Sequence, residues 1–216
     1  MNENTQYRTT NRVTMVGKVD KEFYFSHECY GEGFYRTNLL VDRLNEVQDR
    51  IPIIVSDRLL DMDSCYAGSH IELMGEFRSY TSGEEEGREP KKRKLSVFAH
   101  EIRLLQGQDA ENTEDEDTIY IEGYLTRPPI YRVTPLGREI TELILMVPRN
   151  YGKSDYIPCI CWGRNARFGA RFRPGEKVTV TGRIQSRDYF KQIDDKTKKR
   201  MTTCEVSVTR IRREED

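Results

Sequence analysis

The sequence predicts an all-β protein with two tandem five-stranded barrels, each carrying a short helix between its third and fourth strands. Two observations lead to this prediction. The chain repeats itself at an offset of 106 residues, and each copy contains short runs in which apolar and polar residues alternate, as in half-buried strands. Five such strands with a helix after the third follow the order of the Greek-key barrel known as the OB-fold.

The internal repeat is visible when the sequence is aligned with itself. Residues of several kinds recur at the offset of 106, among them Gly17 and Gly123, Arg43 and Arg149, Asp49 and Asp155, and Ile51 and Ile157. The offset grows to 107 and then to 109 towards the end of each copy, where the matching pairs include Gly75 and Gly182, Ser79 and Ser186, and Val97 and Val206. Because the offset changes only in segments with the composition of loops, we interpret the chain as two copies of one module.

The strands are predicted in the same order in both copies. Apolar residues at alternate positions in 13–19, and again in 119–125, indicate the first strand. The later strands are predicted at Asn38–Arg43, Ile51–Val55, Ile71–Tyr80 and Leu95–Leu105 in the first copy, and at Leu143–Arg149, Tyr156–Trp162, Lys177–Arg187 and Met201–Arg212 in the second. The helix is clearest at Ala166–Phe172, where Phe168 and Phe172 lie four residues apart and Pro174-Gly175 follows.

Charge is distributed unevenly along the chain, although the total is only −1. The first predicted module, residues 1–105, has a net charge of −3, and the second, residues 118–216, has a net charge of +8. A basic C-terminal half favours a nucleic-acid partner, although two differently charged solvated surfaces would give the same totals.

Residues 106–117 are predicted to be an acidic linker, because they hold six acidic residues, no basic residue and no apolar periodicity. Such a run should form a solvated, self-repelling tether. A plain spacer is the favoured interpretation; an acidic mimic of DNA that occupies the binding groove is the alternative.

The chain has five cysteines, an odd number without a CxxC pair: Cys29, Cys65, Cys159, Cys161 and Cys204. We therefore expect no disulfide framework, no zinc site and no cofactor. The N-terminal residues 1–10 lack the apolar core of a signal peptide, and no apolar run approaches the length of a membrane span, so we expect a cytoplasmic protein. Motifs typical of nucleophilic, phosphoryl-transfer or metal-dependent catalysis are also missing, which favours a protein that is not an enzyme.

Six segments of the second copy carry a family resemblance through their order and spacing: Ile119–Leu125, Arg127–Arg132, Thr134–Gly137, Tyr156–Gly163, Pro174–Val178 and Gly182–Arg187. Through them the chain resembles the bacterial single-stranded DNA-binding protein family. The resemblance implies sequence-independent binding of single-stranded DNA in replication, recombination or repair, at the nucleoid in the cytoplasm. Members of that family assemble four OB-folds, so a chain with two of them is expected to form a homodimer.

The resemblance also implies a set of binding residues in the second module. The bases would stack on four aromatic side chains: Tyr151, Tyr156, Trp162 and Tyr189. The phosphates would be met by six basic side chains interleaved with those rings: Arg149, Lys153, Arg164, Arg183, Arg187 and Lys191. The alternative is that the rings fill the core, and the alternation of residues along the strand does not decide between the two.

The first module looks like a structural or oligomerising copy. The positions that correspond to the four rings hold residues without an aromatic side chain: Asn45, Arg50, Ser56 and, approximately, Ser82. Its net negative charge would also repel phosphate. Two alternatives stay open for the chain as a whole, namely a primosome or replisome accessory scaffold that uses the first OB-fold for protein contacts, and a hydrolase or nuclease built on an OB-fold.

The typical family member has a long tail with an acidic tip that recruits repair enzymes. This sequence stops at Arg212–Asp216, directly after the last predicted strand. Recruitment of repair enzymes by such a tip is therefore not expected.

Overall fold

The computed structural model describes residues 10–43, 47–81, 93–111, 113–149, 152–192 and 198–214. Its strands form two successive modules. The first module consists of β1 (Asn11–Val19), β2 (Tyr24–Cys29), β3 (Glu32–Asp42), β4 (Gln48–Ser56), β5 (His70–Thr81) and β6 (Arg93–Leu104), with a 3-10 turn at Asp57–Leu59. After α1 (Gln108–Glu111), the second consists of β7 (Glu116–Leu125), β8 (Ile130–Val133), β9 (Glu139–Pro148), β10 (Ser154–Trp162), α2 (Arg164–Gly169), β11 (Lys177–Gln192) and β12 (Lys198–Arg213).

Five strands of each module close into a barrel. In the first module β1 pairs with β3 and β5, β4 pairs with β3, β6 pairs with β5, and a parallel pairing of β4 with β6 completes the ring. The same pairings recur in the second module among β7, β9, β10, β12 and β11. The inner faces hold fully buried apolar side chains such as Leu39 and Phe77 in the first barrel, and Ile121 and Leu145 in the second.

Each module contains one strand that the sequence does not predict, β2 or β8. These two strands lie at the opposite edges of the sheet and pair only with β3 and β9 within the described ranges. Their side chains are mostly exposed on both faces. An edge hairpin of this kind lacks the apolar alternation by which a half-buried strand is recognised in a sequence.

The helix of the second module differs from its prediction. It begins at Arg164 and ends at Gly169, so it is earlier and shorter than Ala166–Phe172. Phe172 is buried, Phe168 is 41% exposed, and the two rings meet edge to face with their centroids 5.0 Å apart. Their spacing therefore reflects one ring contact and not a longer buried helix face. None of the helices in the described ranges is long and apolar enough to cross a membrane.

Two glycines that recur in the repeat lie where strands cross closely. Gly75 and Gly182 stand at irregularities of β5 and β11, where the register with the next strand shifts. A side chain at Gly75 would collide with the carbonyl oxygen of Phe98, and one at Gly182 with the carbonyl oxygen of Ser207. Both bulges therefore require glycine.

The two barrels are joined through their first strands. Residues 11–16 of β1 pair antiparallel with residues 116–121 of β7, which makes one continuous sheet of the described strands. Val13 lies opposite Ile119, which is its own counterpart in the repeat. The pairing is therefore symmetric about this point, and the modules meet as the two subunits of a twofold dimer do.

Two equivalent clusters, here named the inter-module clamps, flank this pairing. In the first clamp the buried carboxylate of Asp49 accepts hydrogen bonds from the Arg43 Nε, at 2.6 Å, and from the backbone N–H of Ser186 in the other module, at 2.6 Å. The Ser186 hydroxyl in turn accepts a hydrogen bond from the backbone N–H of Arg50 at 3.0 Å.

The second clamp is the first with the modules exchanged. The buried Asp155 carboxylate accepts hydrogen bonds from Arg149 Nε, at 2.5 Å, and from the Ser79 backbone N–H, at 2.5 Å. The Ser79 hydroxyl accepts a hydrogen bond from the backbone N–H of Tyr156 at 3.0 Å. The repeated arginine, aspartate and serine recur in both copies because each copy supplies one half of each clamp.

The predicted linker is not a free tether at its C-terminal end. It contains α1 and the first residues of β7, and two of its aspartates bind backbone groups. The Asp115 carboxylate accepts a hydrogen bond from the Asp42 N–H at 2.7 Å, and Asp117 accepts one from the Ile184 N–H at 3.0 Å. The prediction of a solvated tether is wrong for these residues, because their carboxylates satisfy N–H groups of the two barrels.

Asp117 occupies the position that Asn11 holds in the first copy. The Asn11 amide donates to the Phe77 carbonyl oxygen at 2.8 Å and accepts from the Phe77 N–H at 3.0 Å. Burial raises the pKa of Asp117 to about 7, the hydrogen bond from Ile184 opposes this rise, and the charge of Asp49 adds to it. The interface therefore favours a neutral group at this position.

Breaking one clamp should destabilise the protein. Asp155→Ala removes the partner of Arg149, whose side chain is only 25% exposed, and loss of a buried partner costs about 3–5 kcal/mol. The control is Glu142→Ala, which removes a half-exposed ion pair with Arg132 and should cost less than about 1 kcal/mol. The free energy of unfolding in urea measures both. Equal losses in the two variants would contradict the structural role of the clamp.

Replacing Asp117 should stabilise the protein at alkaline pH. Its pKa is raised from 3.8 to about 7 in the folded state, so the unfolded chain ionises first and the folded protein loses stability as the pH rises from about 4 to about 7. Asp117→Asn should therefore raise Tm by roughly 5 °C at pH 8, and by less at pH 5. Thermal unfolding across this pH range is the measurement. The exposed Asp63→Asn serves as the control, and an identical pH profile for wild type and Asp117→Asn would refute the prediction.

Candidate nucleic-acid interface

Strand β10 presents one face to the core and the other to the outside, except at Ile160, which is buried on the outer face. Ile157, Cys159 and Cys161 are buried, whereas Tyr156 is half-buried and Trp162 is 37% exposed. Burial raises the pKa of the Cys161 thiol to about 12, so this side chain stays neutral among apolar neighbours. Since side chains alternate along a strand, the two aromatic rings share the outer face and are separated by six residues, or about 20 Å.

An arginine of the first module covers the ring of Tyr156. The guanidinium carbon of Arg93, the first residue of β6, lies 4.3 Å from the ring centroid. A cation at this distance is attracted to the face of an aromatic ring. The backbone N–H of Tyr156 donates to Ser79, so an inter-module clamp fixes the strand that carries this ring.

Tyr189 lines a cleft of about 280 Å³ between the modules. The second module contributes Tyr189 and residues 201–204 of β12 to this cleft. The first module contributes three basic side chains and a phenol ring, from Arg50, Arg93, Lys94 and Tyr80. The cleft therefore combines flat rings with cations, which are the groups that meet a base and a phosphate.

Three of the predicted phosphate contacts are exposed basic side chains near the rings: Lys153, Arg164 and Arg187. Arg164 begins α2 two residues after Trp162, and Lys153 precedes Tyr156 by three residues. Across the described ranges Lys153 and Arg164 form no ion pair. Arg187 is 57% exposed, and its Nε lies 3.6 Å from a carboxylate oxygen of the buried Glu205.

Two other predicted phosphate contacts, Arg149 and Arg183, are bound to buried carboxylates. Arg149 pairs with Asp155 in the second clamp, and a guanidinium nitrogen of Arg183 lies 3.2 Å from Asp49 in the first. Their charges are compensated at the module interface. Both side chains therefore serve the contact between modules, and their contact with phosphate stays a prediction.

The remaining predicted residues cannot be placed with respect to the rings. Tyr151 lies outside the described residues, and so do Asn45 and Ser82 of the first copy. The backbone of Lys191 pairs with Lys199 of β12, but its side chain is outside the described part of the protein. Among the described side chains, no three His, Cys, Asp or Glu residues come together as metal ligands.

Sequence reasoning missed the contribution of the first module to this surface. Arg93 and Lys94 end a basic run that begins at Lys91, and the repeat offset of 109 places Arg93 at the position of Thr202, which lines the cleft beside Tyr189. This correspondence was available in the sequence. The net negative charge of the whole first module concealed it, because an average over a module does not describe the charge of one face.

Residues 117–213 match the family model described as the single-strand binding protein family. The chain is 32% identical over 83 residues to single-stranded DNA-binding protein 1 of Lactococcus lactis, a match that covers 35% of this chain and 55% of that protein. It is 30% identical over 96 residues to the single-stranded DNA-binding protein of Enterococcus faecalis, covering 41% and 51%. The chain thus spans about half the length of the curated relatives it matches.

A solved structure resembles the whole chain. The wild-type single-stranded DNA binding protein from Thermus aquaticus matches 95% of this chain and 93% of its own, with a TM-score of 0.73 and 21% identity. The likeness confirms the predicted fold class, an all-β chain with two tandem OB-folds. The second module is therefore similar to the single-strand binding protein family over residues 117–213.

Proposed function

We propose that this protein binds single-stranded DNA without regard to sequence, and without catalysing a reaction, on the outer face of the second barrel. The observation that carries the proposal is the pair of rings of Tyr156 and Trp162 on an open strand face whose opposite face is core. Every base has a π-face, so these rings can stack on any base, which contributes roughly 1–3 kcal/mol per base.

The phosphates are met by the exposed cations beside the rings. Arg164 lies next to Trp162, Lys153 precedes Tyr156, and Arg187 points to the same side of β11 as Tyr189. Each phosphate contact releases counterions from the strand. Affinity should therefore fall steeply as the salt concentration rises, as expected of a protein that recognises the backbone and the flat faces of bases.

Arg93 has a second role in this proposal. In the free protein its guanidinium lies over the Tyr156 ring and covers an apolar surface that would otherwise face water. An incoming base takes this place on the ring, and the released guanidinium is then within reach of the neighbouring phosphate. The ring and the cation come from different modules, so the intact tandem chain is needed for this subsite.

The biological setting follows from the relatives, which are named as single-stranded DNA-binding proteins. We propose a role in DNA replication, recombination or repair, in which unpaired strands are covered while other enzymes act. The paired modules of one chain already form a twofold unit, and association of two chains would supply the four OB-folds expected from the family resemblance.

Removing either ring should weaken binding. Trp162→Ala and Tyr156→Ala should each lower the affinity for oligo-dT about five- to a hundredfold, from the stacking energies above. Fluorescence anisotropy of a labelled oligo-dT measures this in all variants, including the one that lacks tryptophan.

Two control variants separate stacking from general effects. Ser56→Ala changes the residue that corresponds to Trp162 in the first copy and should leave affinity unchanged. Tyr30→Ala removes a fully exposed ring at the β2–β3 turn and should do the same. Wild-type affinity in both Trp162→Ala and Tyr156→Ala, with the fold intact by circular dichroism, would show that the strand binds elsewhere.

The proposed homodimer is tested by its mass in solution. Sedimentation equilibrium of the full chain should give twice the mass of one chain at micromolar concentration. A strict monomer over the accessible concentration range would contradict this assembly. It would not test whether a single chain binds DNA on the proposed face.

A further inference from the structure

We infer that the first module holds part of the same DNA strand in a groove of its own, built from residues at positions other than those of the second module's rings. This inference rests on the proposed function. The groove has a volume of about 490 Å³ and is formed by β2, β3, β4, β5 and β6, with one residue from the second module at its end. Its position gives the first module a ligand-binding role that its sequence did not suggest.

Aromatic rings form a wall of this groove. The Phe98 ring packs on Phe34 with centroids 5.5 Å apart, and His27 stacks nearly parallel on Phe34 at 5.0 Å. Arg78 lies over Phe98 with its guanidinium carbon 4.1 Å from the ring centroid. This repeats the arrangement at Tyr156, where an arginine also covers a ring that a base can take. The groove thus offers a stacking surface of the same kind.

The charge of the groove has one sign. Four basic side chains and none of the described acidic side chains line it: Arg36, Arg78, Lys94 and Arg149. Arg78 pairs with Glu76 at 2.8 Å, and Arg149 pairs with Asp155, so these two are partly compensated. Arg36 and Lys94 have no ion pair within the ranges that the structure describes. Two uncompensated cations beside aromatic rings favour an anionic ligand with flat groups.

Arg36 supplies an independent observation. Its Nε is buried and has no hydrogen-bond partner among the described residues, while its guanidinium lies 4.8 Å above the Tyr24 ring. A buried donor without a partner is costly, and such groups in native proteins call for an explanation. A phosphate in the groove would draw the guanidinium toward it and satisfy this donor. The unpaired Nε is thus consistent with a site whose anion is supplied by the strand.

The groove is continuous with the proposed site of the second module. Tyr80 and Lys94 line both the groove and the cleft that contains Tyr189. Arg93, the residue before Lys94, covers Tyr156. A DNA strand that leaves the second barrel through the cleft therefore enters the groove without crossing an uncharged surface. One continuous strand can thus contact both modules.

The test removes two groove cations that do not line the cleft. Arg36→Gln/Arg78→Gln in the full chain is titrated with oligo-dT of about 10 and about 35 nucleotides, because one OB-fold holds about 4–16 nucleotides. Trp162 is the only tryptophan, so its quenching reports on the second module. We expect affinity for the long strand to fall about tenfold and the slope of log K against log salt to fall by about 1.4, from two contacts of about 0.7 each. The short strand should bind within about twofold of wild type.

A matched control removes two charges from the same module outside the groove. Lys18→Gln/Lys21→Gln changes exposed residues, and Lys18 lies opposite His70, eight residues or about 26 Å along β5 from Arg78. This control should bind both strands as wild type does. Phe98→Leu keeps an apolar side chain and should weaken long-strand binding about fivefold through the lost stacking. If the double variant does not fold, Phe98→Leu tests the groove in its place.

The outcomes separate the two proposals. Wild-type affinity and salt slope in folded groove variants, with Trp162 quenching intact, would overturn the groove and leave the site of the second module standing. An equal loss for both strand lengths would also overturn it, because the groove residues would then act through the second module. Absence of any binding by the wild-type protein would overturn both.

Discussion

The twofold contact between the modules is the constraint on which the rest of the structure depends. An open strand edge needs a partner, and here β1 and β7 satisfy each other. The two clamps then bury Asp49 and Asp155, each bound to an arginine of its own module and a serine backbone of the other. Because a buried carboxylate tolerates little displacement of its donors, these contacts fix how the barrels face each other.

That fixed orientation makes the proposed nucleic-acid surface a property of the pair. Tyr156 belongs to the second module and the guanidinium over it to Arg93 of the first. The cleft beside Tyr189 likewise takes its cations from the first module. The net charge of a module does not describe each of its faces, since the first module is acidic as a whole and has basic side chains on the face that lies beside the second. Local charge, and not the module total, governs contact with phosphate at short range.

The sequence predicts the barrels well and the site only in part. Alternating apolar residues identify the strands that close each barrel, because those strands have one buried face, whereas β2 and β8 have none and are missed. Trp162 and Tyr156 are predicted as stacking rings through the family resemblance, and the structure places both on the outer face, where their stacking role stays a prediction. The structural role of Arg149 could not be predicted, because its partner, Asp155, is held against the other module, which no local pattern reveals.

Fusion of the two modules into one chain explains which residues the copies share. In a dimer of identical subunits a substitution changes both halves of the contact at once. In this chain each half can change alone, and residues that serve the contact stay paired, as Arg43 and Arg149 do, since each completes a clamp. Positions outside the interface are under no such constraint, and there the buried Ser56 stands where the other copy has the partly exposed Trp162. The copies therefore differ in how they present the outer face while keeping the interface that aligns the two faces.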